Sequence, residues 1–217
     1  YYQLSNEISD LNKVVSGTIK VSSTFSIGLH IIPEYIKKFI KSYPSVNVRL
    51  DYNRNANIYD NIISNEADIG LVAYAQPNKF IEKVDFKEES LVLICHSENP
   101  LAKRKTIQIK DLANQKIVSY ESHMPSYKAI ATFFKKENAK LEVSSQFDNI
   151  EMIKHAVEVN IGCAIVPISA VEKDLDSRNY KIIKFKGNPY NRTLSAIFRK
   201  GKKQPSSVKM FIDLLTS

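Results

Sequence analysis

The sequence has little of what usually announces chemistry. Its 217 residues include only two cysteines, Cys95 and Cys163, each inside an apolar, strand-like run (LVLICHS and GCAIVP). Two cysteines make no disulfide framework, and buried free thiols suit a reducing cytoplasm. The four histidines, at 30, 96, 123 and 155, are scattered. No C-x-x-C or H-x-x-x-H spacing arises, so no metal site is expected. Glycine is scarce too. Six glycines are too dispersed for a phosphate cradle, and the P-loop, G-x-G-x-x-G and G-x-S-x-G patterns are all missing. Acid pairs such as Glu88–Glu89 lie in polar stretches that give no reason for tuned pKa values. The expectation is a protein that is not an enzyme and uses no cofactor. No apolar run approaches the roughly 20 residues a membrane span needs. The first residues, YYQLSNEISDLNKVV, lack the basic and apolar regions of a secretory signal. A cytoplasmic protein without a membrane partner is expected.

Charge is present but diffuse. Lys and Arg number 31 against 23 Asp and Glu, a net charge of +8. The densest basic run, KRK at 103–105, reads as a solvated loop. No helix-turn-helix or RNA-binding aromatic signature accompanies it, so the basic balance alone does not make a DNA binder. The hydrophobic fraction of 43% and charged fraction of 25% are ordinary for a globular chain of one large or two small domains.

Leu4, Ile8, Leu11 and Val15 recur at the spacing of a coiled-coil seam, and Gly17 suits a helix C-cap. Residues 1–16 therefore read as the end of a helix cut from something longer. Beyond Gly17 the pattern alternates. TIKV reads as a strand and IPEYIKKFIKSY as a helix whose Ile32, Ile36, Phe39 and Ile40 mostly face their own sheet. VNVRLDY alternates as a strand, IYDNIIS as a helix, DIGLVAY as a buried strand, and LVLICHS follows an extended stretch. After the KRK loop the order repeats: strand KIVSY, helix YKAIATFFKKEN, strand LEVSSQF, helix DNIEMIKHAVEV, strand GCAIVP. IIKF, TLSAIFR and the helix SSVKMFIDLL close the chain. Strands alternating with helices predict α/β architecture, with parallel sheets covered on both faces. The two halves rhyme, which predicts two similar subdomains.

Ligands of parallel sheets gather at the carboxyl ends of strands, where backbone N–H groups are free. Ser22, Ser23, Thr24 and Ser26 stand at such a place, after strand TIKV. One hydroxyl would suffice as an N-cap; four point to ligand contact. Tyr120, Ser122 and His123 form the matching loop of the second half, with Pro125 opening the next helix. Asp148 and Glu151 have capping-box spacing and read as structural. Asn160 stands where that helix should stop, in a position that favours the left-handed conformation.

The stretches GTIKVSSTFSIGLHIIPEYIKKFIKSYPSVNVRLDY, ADIGLVAY, NPLAKRKTIQIKDL and DNIEMIKHAVEVNIGCAIVP, in that order, resemble the effector-binding domain of LysR-type transcriptional regulators over about residues 17–217. The resemblance implies a type 2 periplasmic-binding-protein fold: two Rossmann-like subdomains joined by two crossover strands, near Leu91–Cys95 and Thr193–Phe198. It places residues 17–92 and 196–217 in the first subdomain and 93–195 in the second, with 1–16 the end of a linker helix. A small-molecule effector is implied in the cleft, with contacts from Ser23, Thr24 and Ser26, from Ala73 and Tyr74, and from Gln146, Phe147 and Asp148. The hydroxyl loop favours an anionic or polar metabolite; Tyr74, Phe147 and Tyr120 equally suit an aromatic acid. Asn160 replaces a usual glycine, as does the Glu66-Ala67 pair before Asp68. Tyr74 is bulkier than the family's frequent residues there. The implied action is allosteric: effector binding controls DNA binding by a winged helix-turn-helix absent from this chain. The implied assembly is a homodimer, and a tetramer at full length. The alternative is an extracytoplasmic solute-binding protein of the same fold.

Overall fold

A computed structural model describes residues 15–174 and 179–217. The helix expected over 1–16 therefore lies outside the described residues, apart from Val15 and Ser16. The chain divides into two compact units. The first comprises the described residues up to Lys87 together with Thr193–Ser217, the second Glu88–Arg192.

In the first unit, β1 (Gly17–Ser23) pairs in parallel with β2 (Val46–Tyr52) on one edge and β3 (Ile69–Ala73) on the other. Every residue of β3 is buried, as a strand covered on both faces requires. Ile69, Leu71 and Ala73 join the cluster of Ile27, Phe39 and Phe211, while Val72 joins Ile58, Ile62 and Ile197. Period-2 alternation thus serves two cores at once. Gly70 lets helix and sheet approach: a Cβ there would lie 2.7 Å from both Ile58 Cγ2 and Ile197 Cγ1. Helix α1 (Phe25–His30) was not expected; it is a single short segment that ends at Ile31, directly before α2 (Ile32–Ser42). On α2, Ile32 and Phe39 are buried and Ile36 packs against the core, but Ile40 is 42% exposed. The expected inward stripe is therefore one residue narrower. Helix α3 (Asn55–Ile63) covers the other face.

In the second unit, β6 (Ile117–Tyr120) pairs in parallel with β7 (Val143–Phe147), and Ile117 bridges to Cys163 at the start of β8 (Ala164–Pro167). Helices α4 (Pro125–Lys136) and α5 (Ile150–Glu158) connect these strands. The rhyme of the halves is thus a repeated β-α-β-α-β unit with its first strand in the middle.

The expectation of parallel pairing holds within each repeat and fails beside it. The 16-residue β4 (Ile81–His96) runs antiparallel to β8 and to β9 (Tyr180–Phe185), which pairs in parallel with β5 (Thr106–Ile107). Strand β10 (Asn191–Arg199) runs antiparallel to β3. These two long strands carry the chain from one unit into the other and arrive against the direction of the repeat. The closing helix α6 (Ser206–Thr216) packs on the first unit, with Phe211 edge-on to Phe39 at 5.1 Å.

Turns are made with few glycines. Asn65, Asn114, Asn138, Asn160 and Asn188 all take positive φ, the conformation asparagine tolerates better than most residues. At Asn160 (φ 60°) the end of α5 is a Schellman motif. Asn160 N–H donates to Val157 O at 3.0 Å and Ile161 N–H to Ala156 O at 3.0 Å.

Where β4 and β10 enter the second unit, Glu89 and Arg192 form a buried ion pair, their side chains 1% and 3% exposed. Arg192 Nε donates to Glu89 Oε2 at 2.7 Å, and Ser169 N–H donates to Oε1 at 3.0 Å. Removing one partner leaves an uncompensated buried charge. Glu89→Ala should therefore cost about 3–5 kcal/mol in urea unfolding, and replacing both residues by apolar ones should cost far less.

Candidate functional site

The register sets the carboxyl end of β1 between two neighbours. Ser23 lies opposite Tyr52 on β2 and Leu71 on β3. The four hydroxyls that follow have separate fates. Ser22 Oγ accepts from Asn53 Nδ2 at 3.0 Å and from Asn61 Nδ2 at 3.3 Å, tying the ends of β2 and α3 to β1. Ser23, fully buried, donates to Thr24 O at 3.1 Å. Thr24 N–H donates to Leu71 O at 3.2 Å, and its own C=O accepts from Gly28 N. Thr24 is the N-cap residue of α1, yet its side chain makes no cap bond. Its Oγ1 is buried and has no hydrogen-bond partner among the described residues. Ser26 is half-buried in the first turn of α1.

An aromatic pair flanks this loop. Phe25 stacks on Tyr52 with centroids 5.4 Å apart and an interplanar angle of 19°. Gly28 makes room, since a Cβ there would lie 2.7 Å from Tyr52 Cε1. At the end of β3, Ala73 is buried and Tyr74 takes φ 55°. Tyr74 is the one residue other than Asn or Gly with positive φ among those described. That conformation costs an ordinary L-residue about 1–2 kcal/mol. The corner holds it: Tyr74 N–H donates to Thr193 O at 3.1 Å, and Gln76 Nε2 donates to Tyr74 O at 2.8 Å. Gln76 N–H in turn donates to Tyr59 Oη at 2.7 Å. Burial pushes the Tyr59 phenol above its usual pKa, so it stays a neutral hydroxyl.

In the second unit the parallel strand ends bring together Tyr120, Gln146 and Phe147. Gln146 Nε2 donates to Tyr120 O at 3.3 Å, and Glu121 N–H donates to Phe147 O at 3.1 Å. Ser122 is exposed, and His123 is 70% exposed with Nδ1 3.6 Å from Glu121 Oε2. Pro125 opens α4 as expected. The capping box does not form as expected. The N-cap of α5 is Asn149, whose Oδ1 accepts from Met152 N–H at 3.0 Å, while Asp148 Oδ1 accepts from Asn149 Nδ2 at 3.1 Å. Glu151 instead pairs with buried Lys154 at 2.9 Å. Adjacent Asp and Asn are equally good caps, so spacing alone could not choose between them.

Sequence reasoning missed the residues that support the hydroxyl loop, Tyr52, Asn53 and Asn61, and Gln76, which holds the Tyr74 corner. The signal was available for one of them. Asn53 directly follows strand VNVRLDY, at the same kind of strand end as Ser23. Among the described residues, no group of three or more His, Cys, Asp or Glu could hold a metal ion, and no helix is long and apolar enough to cross a membrane.

Two similar β-α-β-α-β units, two long strands running from one into the other, and ligand-type loops at parallel strand ends define a recognisable architecture. Residues 12–217 match the family model described as the LysR substrate binding domain. The chain belongs to this LysR substrate-binding domain family. Its relatives are transcriptional regulators. It is 31% identical over 198 residues, 88% of this chain and 64% of the relative, to a probable RuBisCO transcriptional regulator of Thalassiosira pseudonana. It is 25% identical over its whole length, and 73% of the relative, to the HTH-type transcriptional regulator CysL of Bacillus subtilis. The chain spans 64% and 61% of the length of two of the RuBisCO regulators it matches. Solved effector-binding domains have the same fold. That of QuiR in complex with shikimate superposes with a TM-score of 0.84 at 19% identity, over 93% of this chain and 96% of that one. The regulatory domain of Synechocystis CcmR, in complex with 2-PG, gives 0.81 at 21% identity over the same shares. The LysR fold thus agrees with the type 2 periplasmic-binding-protein expectation.

An unpaired buried hydroxyl costs about 1–3 kcal/mol. Thr24→Val keeps the side-chain shape and removes that cost. The ligand-free variant should melt a few degrees higher than the parent, about 2–4 °C per kcal/mol for a chain of this size, by calorimetry.

Proposed function

We propose that this chain is the ligand-sensing domain of a LysR-type transcriptional regulator, and that it binds a small anionic or polar metabolite at its strand-end loops. The single observation that carries the reading is the buried, unpartnered hydroxyl of Thr24, at the carboxyl end of the central strand. A polar atom left unsatisfied in an otherwise hydrogen-bonded loop is stabilised when a ligand supplies the missing partner. Ser23, Ser26, Ala73 and Tyr74 complete the contacts of the first unit. Tyr120, Ser122, His123, Gln146, Phe147 and Asp148 are the proposed contacts of the second. The ligands of similar domains, shikimate with QuiR and 2-PG with CcmR, support a small-metabolite class.

The proposed action is a population shift. The ligand changes the regulator's state only by the difference between its affinities for the states available. DNA is read by another part of the full-length protein, as a homodimer or tetramer; a full-length CbnR bound to its target DNA has a matching domain with TM-score 0.83. Two buried free cysteines support a reducing, cytoplasmic setting.

A thermal-shift screen with small carboxylates, phosphorylated acids and aromatic acids tests this. A ligand at about 100 times its Kd should add about 2.7 kcal/mol to the parent. Thr24→Val should lose most of that gain while remaining folded. An equal gain in Thr24→Val would move the site elsewhere.

A further inference from the structure

The two thiols take no part in the proposed ligand site, yet the fold sets them side by side. Strands β4 and β8 pair antiparallel with Ile94 opposite Ala164. One step further along that register, Cys95 falls opposite Cys163. The backbone of Cys163 turns away from β4: its N–H donates to Lys116 O at 2.9 Å and its C=O accepts from Val118 N–H at 2.8 Å. The cysteines are therefore a non-hydrogen-bonded cross-strand pair. Cα atoms in such pairs sit about 4.5 Å apart, with side chains at their closest. Disulfides span Cα separations of about 4.4–6.8 Å. The register therefore brings these two within the usual span of a disulfide.

We propose that Cys95 and Cys163 form a reversible intramolecular disulfide, made by a peroxide and undone by thiols. Both residues are buried, at 0% and 1% exposure, but polar side chains connect the pair to the surface. Asn99 Nδ2 donates to Cys163 Sγ at 3.6 Å and to Gln115 Oε1 at 3.4 Å, and Sγ lies 4.0 Å from that same Oε1. Asn99 and Gln115 are half-buried, so the Cys163 thiol lies one polar layer beneath solvent, and Cys95 lies behind it. The hydrogen bond from Cys163 holds the Cys95 thiol below its usual pKa, and the same bond, with burial, pushes Cys163 up. Of the two, Cys95 is therefore the thiol that ionises more readily, and Cys163 holds its proton longer. Thiolates are the attacking species in such chemistry.

The step balances. Cys95 S⁻ attacks one oxygen of hydrogen peroxide; the O–O bond breaks, leaving a sulfenic acid and a hydroxide that takes the Cys163 proton as water. Cys163 S⁻ then attacks the Cys95 sulfur and expels hydroxide, which solvent protonates to the second water. Two sulfurs are oxidised and both peroxide oxygens are reduced. The neighbouring cysteine also protects Cys95 from further oxidation.

The experiment treats the folded chain with hydrogen peroxide, alkylates the remaining thiols after denaturation, and measures intact and peptide mass. Both thiols should disappear together, the mass should fall by two hydrogens, a peptide joining 95 to 163 should appear, and dithiothreitol should restore both thiols. Cys163→Ser should leave Cys95 as a sulfenic acid that dimedone traps. The proposal is overturned by oxygen added to either cysteine of the parent chain without a bridge. A disulfide between two chains would equally overturn it, as would two thiols still alkylatable after a treatment that oxidises the urea-unfolded chain.

Discussion

Each unit is organised by a strand that spends its backbone hydrogen bonds on both neighbours. In the first unit β1 pairs with β2 along its whole length and with β3 at its carboxyl end. At its carboxyl end such a strand is paired on both edges, and polar groups become available there only where the ladder stops. The ladder stops after Ser23, and that is where Ser22, Ser23 and Thr24 gather. Ser22 uses its hydroxyl to hold Asn53 and Asn61, and Ser23 uses its own on the backbone. These bonds fix the loop, and a fixed loop is what keeps the Thr24 hydroxyl buried without a partner. A mobile loop would turn it to water.

The same economy governs the corners. A chain with six glycines must place left-handed turns on other residues, and among the described residues asparagine takes five of them. Tyr74 breaks this habit. A bulky residue in a left-handed conformation persists only where its surroundings over-determine it. Here Thr193 and Gln76 do so from both sides of the peptide. Strained backbone of this kind clusters at ligand sites, and Tyr74 directly follows β3, beside the hydroxyl loop.

Much of the fold was legible because it is local. Period-2 runs such as VNVRLDY and apolar runs such as DIGLVAY announced their strands, and Pro125 and Asn160 announced a helix start and a helix stop. Helix α1 was not legible: Phe25–His30 is too short for a 3.6-residue period to show, and Phe25 and Leu29 are exposed. The shift of the α5 cap from Asp148 to Asn149 was a choice between two equal caps, which spacing along the chain cannot make. The antiparallel insertion of β4 and β10 could not be read either, because strand direction follows from where the chain has come from.

By itself the sequence determined the order of the longer strands and helices, the repeat of the β-α-β-α-β unit, and the hydroxyl-rich end of its first strand. These depend on spacing along the chain, and spacing is written in the chain. The tertiary structure alone decided which of four hydroxyls would lack a partner, which residue would cap α5, and that Glu89 would meet Arg192. It also decided that two cysteines far apart in the chain would both lie at the end of the β4–β8 ladder, next to its last pair, Ile94 and Ala164. Each of these turns on a register or a contact between distant segments. Packing selects such contacts from many that local pattern allows equally.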